Sequence, residues 1–250
     1  MNNPVVLEAV DIVKELGEGA GRVRALKGVS LSLRTGELTL LMGPSGSGKT
    51  TLLSILGCIL TPTSGTVRIK DETTNGLTPE QLADLRRRHI GFVFQSYNLF
   101  PTLTALENVR LALDVRGMSH AETIERAEAA LKAVGLSHKL RSYPRNMSGG
   151  EQQRVAVARA LAGAPTVILA DEPTAALDSE NGHAVMALLA QIARDRNHAV
   201  LAVTHDPRTH AYADRIIRIE DGRIVGEERR PEAGKNVKKY DLTRRRKANA

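Results

Sequence analysis

Four short stretches hold residues whose types and spacing suit phosphate chemistry. The first, GPSGSGKT at 43–50, fits G-x-x-x-x-G-K-[ST]. Gly43, Gly46 and Gly48 let the backbone curl so that successive N–H groups point inward at phosphate oxygens, with Pro44, Ser45 and Ser47 completing the turn. A helix dipole behind them favours negative charge. Lys49 is placed to reach β- and γ-phosphates, and Thr50, followed by Thr51, offers a hydroxyl to Mg²⁺.

The second stretch, TVILADEPT at 166–174, is an apolar run ending in two acids. On a parallel sheet the carboxyl ends of strands face the ligand crevice. Asp171 is expected to hold Mg²⁺ through its waters, and Glu172 to point toward a hydrolytic water as its base. The third feature is a pair of strand-end residues, Gln95 after GFVFQ and His205 after HAVLAVTH. Each could hydrogen-bond a γ-phosphate or the attacking water. The fourth is RNMSGGEQQR at 145–154, where Ser148, Gly149, Gly150 and Glu151 fit the S-x-x-E capping box and open a second anion-facing helix. One site does not need two such starts.

Strand-like runs alternating with helical patterns must position these groups, which argues for an α/β protein with a mostly parallel sheet. The runs are VVLEAV, GVSLSL, ELTLLM, TVRI, GFVFQ, TVILAD, HAVLAVTH and RIIRIEDGRIV. Several are continuously apolar, as strands buried on both faces must be. Residues 4–35 with 65–70 alternate instead and read as an antiparallel layer. TLLSILGCIL reads as the helix behind the phosphate loop, with Cys58 on it as a small buried apolar side chain. Between 104 and 164 only helices are expected: TALENVRLALDV, SHAETIERAEAALKAVG and SGGEQQRVAVARALAG.

The 250 residues suffice for one sizeable core, and no apolar run approaches the roughly 18 residues that cross a bilayer. The start, MNNPVVLEAVDIVKEL, lacks the basic-then-apolar order of a secretory signal, and the single cysteine excludes an intrachain disulfide. The net charge of +7 is local: residues 229–250 hold nine basic and two acidic groups, leaving 26 of each sign in the rest. That tail reads as a solvated, flexible segment or as one drawn to anionic lipid headgroups. Its one aromatic, Tyr240, argues against nucleic acid.

With these motifs in place, residues 5–228 resemble the nucleotide-binding ATPase subunit of an ATP-binding-cassette (ABC) transporter. The matching elements occur in family order: the Walker A loop GPSGSGKT, the Q-loop Gln95, the signature MSGGE, the Walker B segment VILADE, the D-loop AALD and the H-loop His205. Within the family the chain is similar to the MacB, LolD and DevA group, and FPTLTALENV, ADEPTAALDS and ADRIIRIEDGRI look especially like DevA-type exporter ATPases. The resemblance implies a P-loop NTPase (RecA-like) core, an antiparallel β sub-domain and an all-helical sub-domain at about 96–164. These form one ATPase domain at 1–228, with the basic tail at 229–250. It implies Glu172 as general base, with Asp171, Thr50 and Gln95 serving Mg²⁺, His205 at the γ-phosphate and Asp178 signalling across a dimer. Two copies would stack head to tail, with ATP between the Walker A loop of one and the signature helix of the other.

The signature departs from the family in Met147, a volume-preserving replacement for leucine, and in Glu151, where glutamine is common. The larger departure is at the adenine-stacking aromatic, whose slot falls at Leu16. No aromatic precedes Phe92, so only Arg22 or Arg24 could supply a cation to the ring. Phe92 and Phe94 read as core. Tyr97, Leu99 and Phe100 read either as packing of the helical sub-domain or, by resemblance, as part of the groove that receives a permease helix. The implied protein works on the cytoplasmic face of the inner membrane with permease subunits and, in an exporter, a periplasmic adaptor. The alternatives are a non-transport ABC ATPase acting on DNA or ribosomes, and a small-molecule kinase. The first usually needs paired cassettes or long insertions, and the second leaves the signature unexplained.

Overall fold

The computed structural model describes residues 3–195 and 197–229. The basic tail beyond Arg229 therefore lies outside the described residues. Two sheets form the body. In the first, β1 (Val5–Leu16) and β2 (Val23–Arg34) make a long antiparallel hairpin, and β4 (Ser64–Ile69) and β5 (Glu72–Thr73) extend it in the order β2-β1-β4-β5. In the second, β3 (Leu38–Met42), β6 (Ile90–Val93), β7 (Val167–Asp171), β8 (Ala199–Val203) and β9 (Arg215–Glu220) are parallel. The antiparallel edge strand β10 (Arg223–Arg229) completes the order β10-β9-β3-β8-β7-β6. RIIRIEDGRIV is thus a hairpin of two strands, turned at Asp221 and Gly222, which both have positive φ.

Alternation along the parallel strands explains the layering. Ile168 and Ala170 of β7, with Val200 and Ala202 of β8, face one apolar core, while Val167 and Leu169, with Ala199 and Leu201, face another. The first core is closed by α3 (Ala105–Asp114), α4 (His120–Ala133), α5 (Gly149–Ala162) and α6 (Ser179–Arg194). The second is closed by the antiparallel sheet, α1 (Lys49–Leu56) and α2 (Pro79–His89). Residues 96–164 hold α3, α4 and α5 and no strand. Each begins at a Thr or Ser whose hydroxyl accepts the N–H three residues on: Thr104, Ser119 and Ser148.

Three local expectations change. α1 stops at Leu56, so Cys58 lies beyond the helix with φ 56°; it is nevertheless buried, and burial pushes its thiol up to about 11. β6 ends at Val93, so Gln95 sits two residues past the strand. Phe94 is not core: it is half-buried and stacks on Phe92 at a centroid distance of 5.5 Å.

Candidate nucleotide site

All the strand-end candidates leave the same edge of the parallel sheet. Leu41 of β3 and Asp171 of β7 both lie opposite Val203 of β8, so the three strands end level. The phosphate loop follows Met42 directly. Gly48 caps α1 from the left-handed region at φ 98°, and a Cβ there would meet the Ala25 carbonyl oxygen at 2.8 Å, so the position requires glycine. No side chain caps α1, which leaves its first N–H groups for a ligand. Lys49 is 8% exposed and folds back, donating from Nζ to the Gly43 and Pro44 carbonyl oxygens at 2.8 and 2.7 Å. The ammonium is thereby held inside the loop that would take the phosphates. Ser47 is buried in the same loop with an unpartnered Oγ, its carbonyl accepting from Gly222 N–H at 3.1 Å.

Asp171 ends β7 beside Thr50. Burial raises its carboxyl above the ordinary range and the neighbouring Glu172 adds to this, while Lys49 and the Thr50 hydroxyl act the other way. Its Oδ1 is buried without a partner. An orphaned carboxylate oxygen beside a hydroxyl is a hard-oxygen donor set suited to Mg²⁺, which takes few protein ligands and keeps waters and phosphate oxygens. The chain turns sharply after Asp171: Glu172 has φ 44°, and its N–H donates to Val203 O at 3.0 Å. This turn aims the Glu172 carboxylate at His205, whose Nδ1 lies 2.8 Å from Oε1.

A cleft of about 600 Å³ joins these groups. Ser45, Gly46, Gly48, Lys49, Thr50 and Thr51 line it together with Gln95, Glu172, Ala175 and His205 and, from the β1–β2 hairpin, Leu16 and Ala25. The signature lies elsewhere. Ser148 is exposed at the start of α5, and its capping box with Glu151 is complete: Ser148 N–H donates to Glu151 Oε2 at 2.9 Å, and Glu151 N–H donates to Ser148 Oγ at 3.3 Å. Met147 is buried in the helical core, as a replacement for leucine should be. Gly150 must be glycine, since a Cβ would fall 2.3 Å from Asn181 Oδ1. Asp178 does a local job: it caps α6, accepting from Asn181 N–H at 2.9 Å and from Asn181 Nδ2 at 2.6 Å.

Several supporting residues escaped the sequence reading. Gln153, fully buried on α5, donates to Pro173 O at 2.9 Å and so ties the signature helix to the segment after Glu172. Arg159, also on α5, donates to Tyr97 O at 2.8 Å and to Asn98 O, pinning two residues with positive φ just after Gln95. Tyr97 itself turns inward, its hydroxyl donating to Ala176 O at 3.4 Å beside Gly149. Phe100 instead lines a groove of about 580 Å³ with Phe92, Phe94, Arg86, Arg87 and Arg116.

Residues 26–175 match the family model described as ABC transporter. The chain is 47% identical over 220 residues to the macrolide export ATP-binding/permease protein MacB of Shigella flexneri, covering 88% of this chain and 34% of that protein. It is 44% identical to MacB of Aggregatibacter actinomycetemcomitans over 93% of this chain and 36% of that one. The chain thus spans about a third of the length of these curated relatives. Among solved structures, a dimeric post-hydrolysis state of the ATP-binding cassette MJ0796 bound to ADP and Pi is 44% identical, with a TM-score of 0.81, covering 89% of this chain and 98% of that one. CbiO1 from Clostridium perfringens, part of the ABC transporter complex cbiONQ, has a TM-score of 0.81 at 27% identity, covering 91% and 89%.

Proposed function

Because this chain belongs to the ABC transporter family, we propose that it is the ATP-hydrolysing subunit that powers a membrane exporter, working as a head-to-tail dimer on the cytoplasmic face of the inner membrane. The observation that carries the reading is the convergence of the phosphate loop, Glu172 and His205 on one cleft. The loop N–H groups and Lys49 bind the β- and γ-phosphates. Thr50, Asp171 and Gln95 would hold Mg²⁺, which when bound neutralises charge on the phosphate oxygens. Glu172 takes the proton of the attacking water. His205, within hydrogen-bond distance of that carboxylate, would contact the γ-phosphate.

Ser148, Gly149 and Gly150 are absent from the cleft of their own chain, and this supports their use against the γ-phosphate bound by a second copy. Asp178, next to Ser179 at the start of α6, would carry the hydrolytic state across that interface. The groove beside Phe100 would receive a helix of a permease, and a periplasmic adaptor would complete an exporter. The basic tail reads as a solvated segment, with anionic lipid headgroups as the alternative. The deciding test is Glu172→Gln. It should retain ATP binding, lose hydrolysis by about 10³-fold and accumulate as an ATP-bound dimer by size-exclusion chromatography. Hydrolysis near the wild-type rate would overturn the assignment of the base.

A further inference from the structure

Gln95 and Glu172 line the cleft from two segments that one buried side chain reaches. Gln153, on α5, is fully buried and does not itself line the cleft. Its Nε2 donates to Pro173 O at 2.9 Å and stands 3.5 Å from Phe94 O. Pro173 immediately follows Glu172, and Phe94 immediately precedes Gln95. Sheet pairing does not fix these segments against each other. The β6–β7 ladder ends with Val93 opposite Ala170, and both chains then turn through positive φ, 44° at Glu172 and 61° at Tyr97. Packing alone does not call for an amide at this position. The Gln153 Oε1 is buried without a partner among the described residues, which costs stability. Phe94 O already accepts from Tyr97 N–H at 3.2 Å. The neighbouring Val155, Ala156, Val157 and Ala158 are fully buried and apolar, so an apolar side chain of similar volume would suit the same surroundings.

Resting on the reading of Glu172 as the base, we propose that Gln153 is a positioning residue for hydrolysis. Its amide spans the gap beyond the end of the β6–β7 ladder and holds Gln95 and Glu172 in the mutual placement that attack by water requires. An amide nitrogen carries two protons, so one side chain can face both carbonyls, which no hydroxyl and no apolar group can do. The amide touches neither the nucleotide nor the water. Its loss therefore leaves phosphate binding by the loop intact and slows the chemical step, because small displacements of reacting groups cost rate steeply.

The test is steady-state ATP hydrolysis, calorimetric ATP binding and thermal melting of the wild type, Gln153→Met, Val157→Ala and Glu172→Gln. Methionine keeps the volume and removes both the donor and the orphaned acceptor, so Gln153→Met should melt near the wild type. Its KM and its Kd for ATP should stay within about twofold, while kcat falls by at least about fivefold. Val157→Ala opens a cavity on the same helix and should melt lower, with kcat within about twofold. A smaller loss of kcat in Gln153→Met, or an equal loss in Val157→Ala, reduces Gln153 to core packing and overturns the proposal while the base assignment stands. Hydrolysis by Glu172→Gln near the wild-type rate overturns the base assignment, and the positioning role with it. Should Gln153→Met fold poorly, Gln153→Asn, whose amide is one methylene short of Pro173 O, decides by the same loss of kcat.

Discussion

The chain opens two helices with glycine-rich segments, and it finishes them in opposite ways. At α1 no side chain caps the helix, Gly48 takes a left-handed conformation, and the lysine ammonium is tied to the loop's own carbonyls. At α5 the first turn is closed by a reciprocal Ser148–Glu151 box. An uncapped, enclosed start has N–H groups left to satisfy and gains from an anion. A capped, exposed start is stable without one. The first suits an anion taken within its own chain. The second can meet a phosphate and release it without its helix fraying, which is what reversible closure of a dimer requires.

The comparison breaks most directly if the two starts fail to separate binding from hydrolysis. Lys49→Ala should weaken ATP binding by at least about tenfold by calorimetry. Ser148→Arg should leave binding within about twofold and cut phosphate release by about 100-fold or more, because the intruding side chain blocks only the second copy's nucleotide. Loss of the cap costs about 1 kcal/mol, too little to unfold the domain and imitate that result. If Ser148→Arg weakened binding as much as Lys49→Ala, both starts would belong to one site.

A smaller effect sharpens the contrast in how the two regions hold charge. Burial, with the neighbouring Glu172, keeps the Asp171 carboxyl above its ordinary value of 3.8. The folded state therefore binds this proton more tightly than the unfolded chain. Ionised Asp171 costs stability, and the cost grows as pH rises from the unfolded value through the raised folded one. Without nucleotide, Asp171→Asn should raise the melting temperature at neutral pH, and should gain less at acid pH. The same change should remove the Mg²⁺ dependence of ATP binding. A lower melting temperature at neutral pH would mean that the carboxylate stabilises the resting fold.

The local geometry of the candidate site was legible in the sequence because short motifs set it. GPSGSGKT dictates its own loop, and S-x-x-E dictates its own cap. Strand ends were legible through apolar runs that stop at polar residues, as at Asp171. The tethers were not legible, because their partners are backbone carbonyls of distant segments. Gln153 meets Pro173 O, and Arg159 meets Tyr97 O and Asn98 O, contacts that no spacing on α5 encodes. α2 was missed since Leu85 is its one buried residue and its last turn is four basic side chains. α6 was missed although its signal was present: Val185, Leu188, Leu189 and Ile192 fall at helical spacing behind the Asp178 cap. Asp178, which the resemblance assigned to a dimer interface, caps this helix.

The smallest effect belongs to Glu151, where the signature carries an acid. Burial would raise its carboxyl, but the Ser148 N–H, Lys139 at 3.3 Å and Arg154 outweigh it and hold the group below its ordinary value of 4.5. Glu151→Gln preserves the capping box, since glutamine accepts the same N–H, and forfeits only the pairing with Lys139 and the charge at the helix start. It should cost about 0.5 kcal/mol or less at neutral pH, and Glu151→Ala about 1 kcal/mol, by denaturant unfolding. The depressed group stabilises the fold above its unfolded value and loses that contribution as pH falls through the folded one. The deficit of Glu151→Gln should therefore vanish in acid while that of Glu151→Ala, which also lacks the hydrogen bond, persists. ATP hydrolysis should change by less than about twofold in Glu151→Gln, because the charge serves the helix and not the phosphate. A large loss of hydrolysis would place this carboxylate in the nucleotide interface, and the two helix starts would then differ less than their caps suggest.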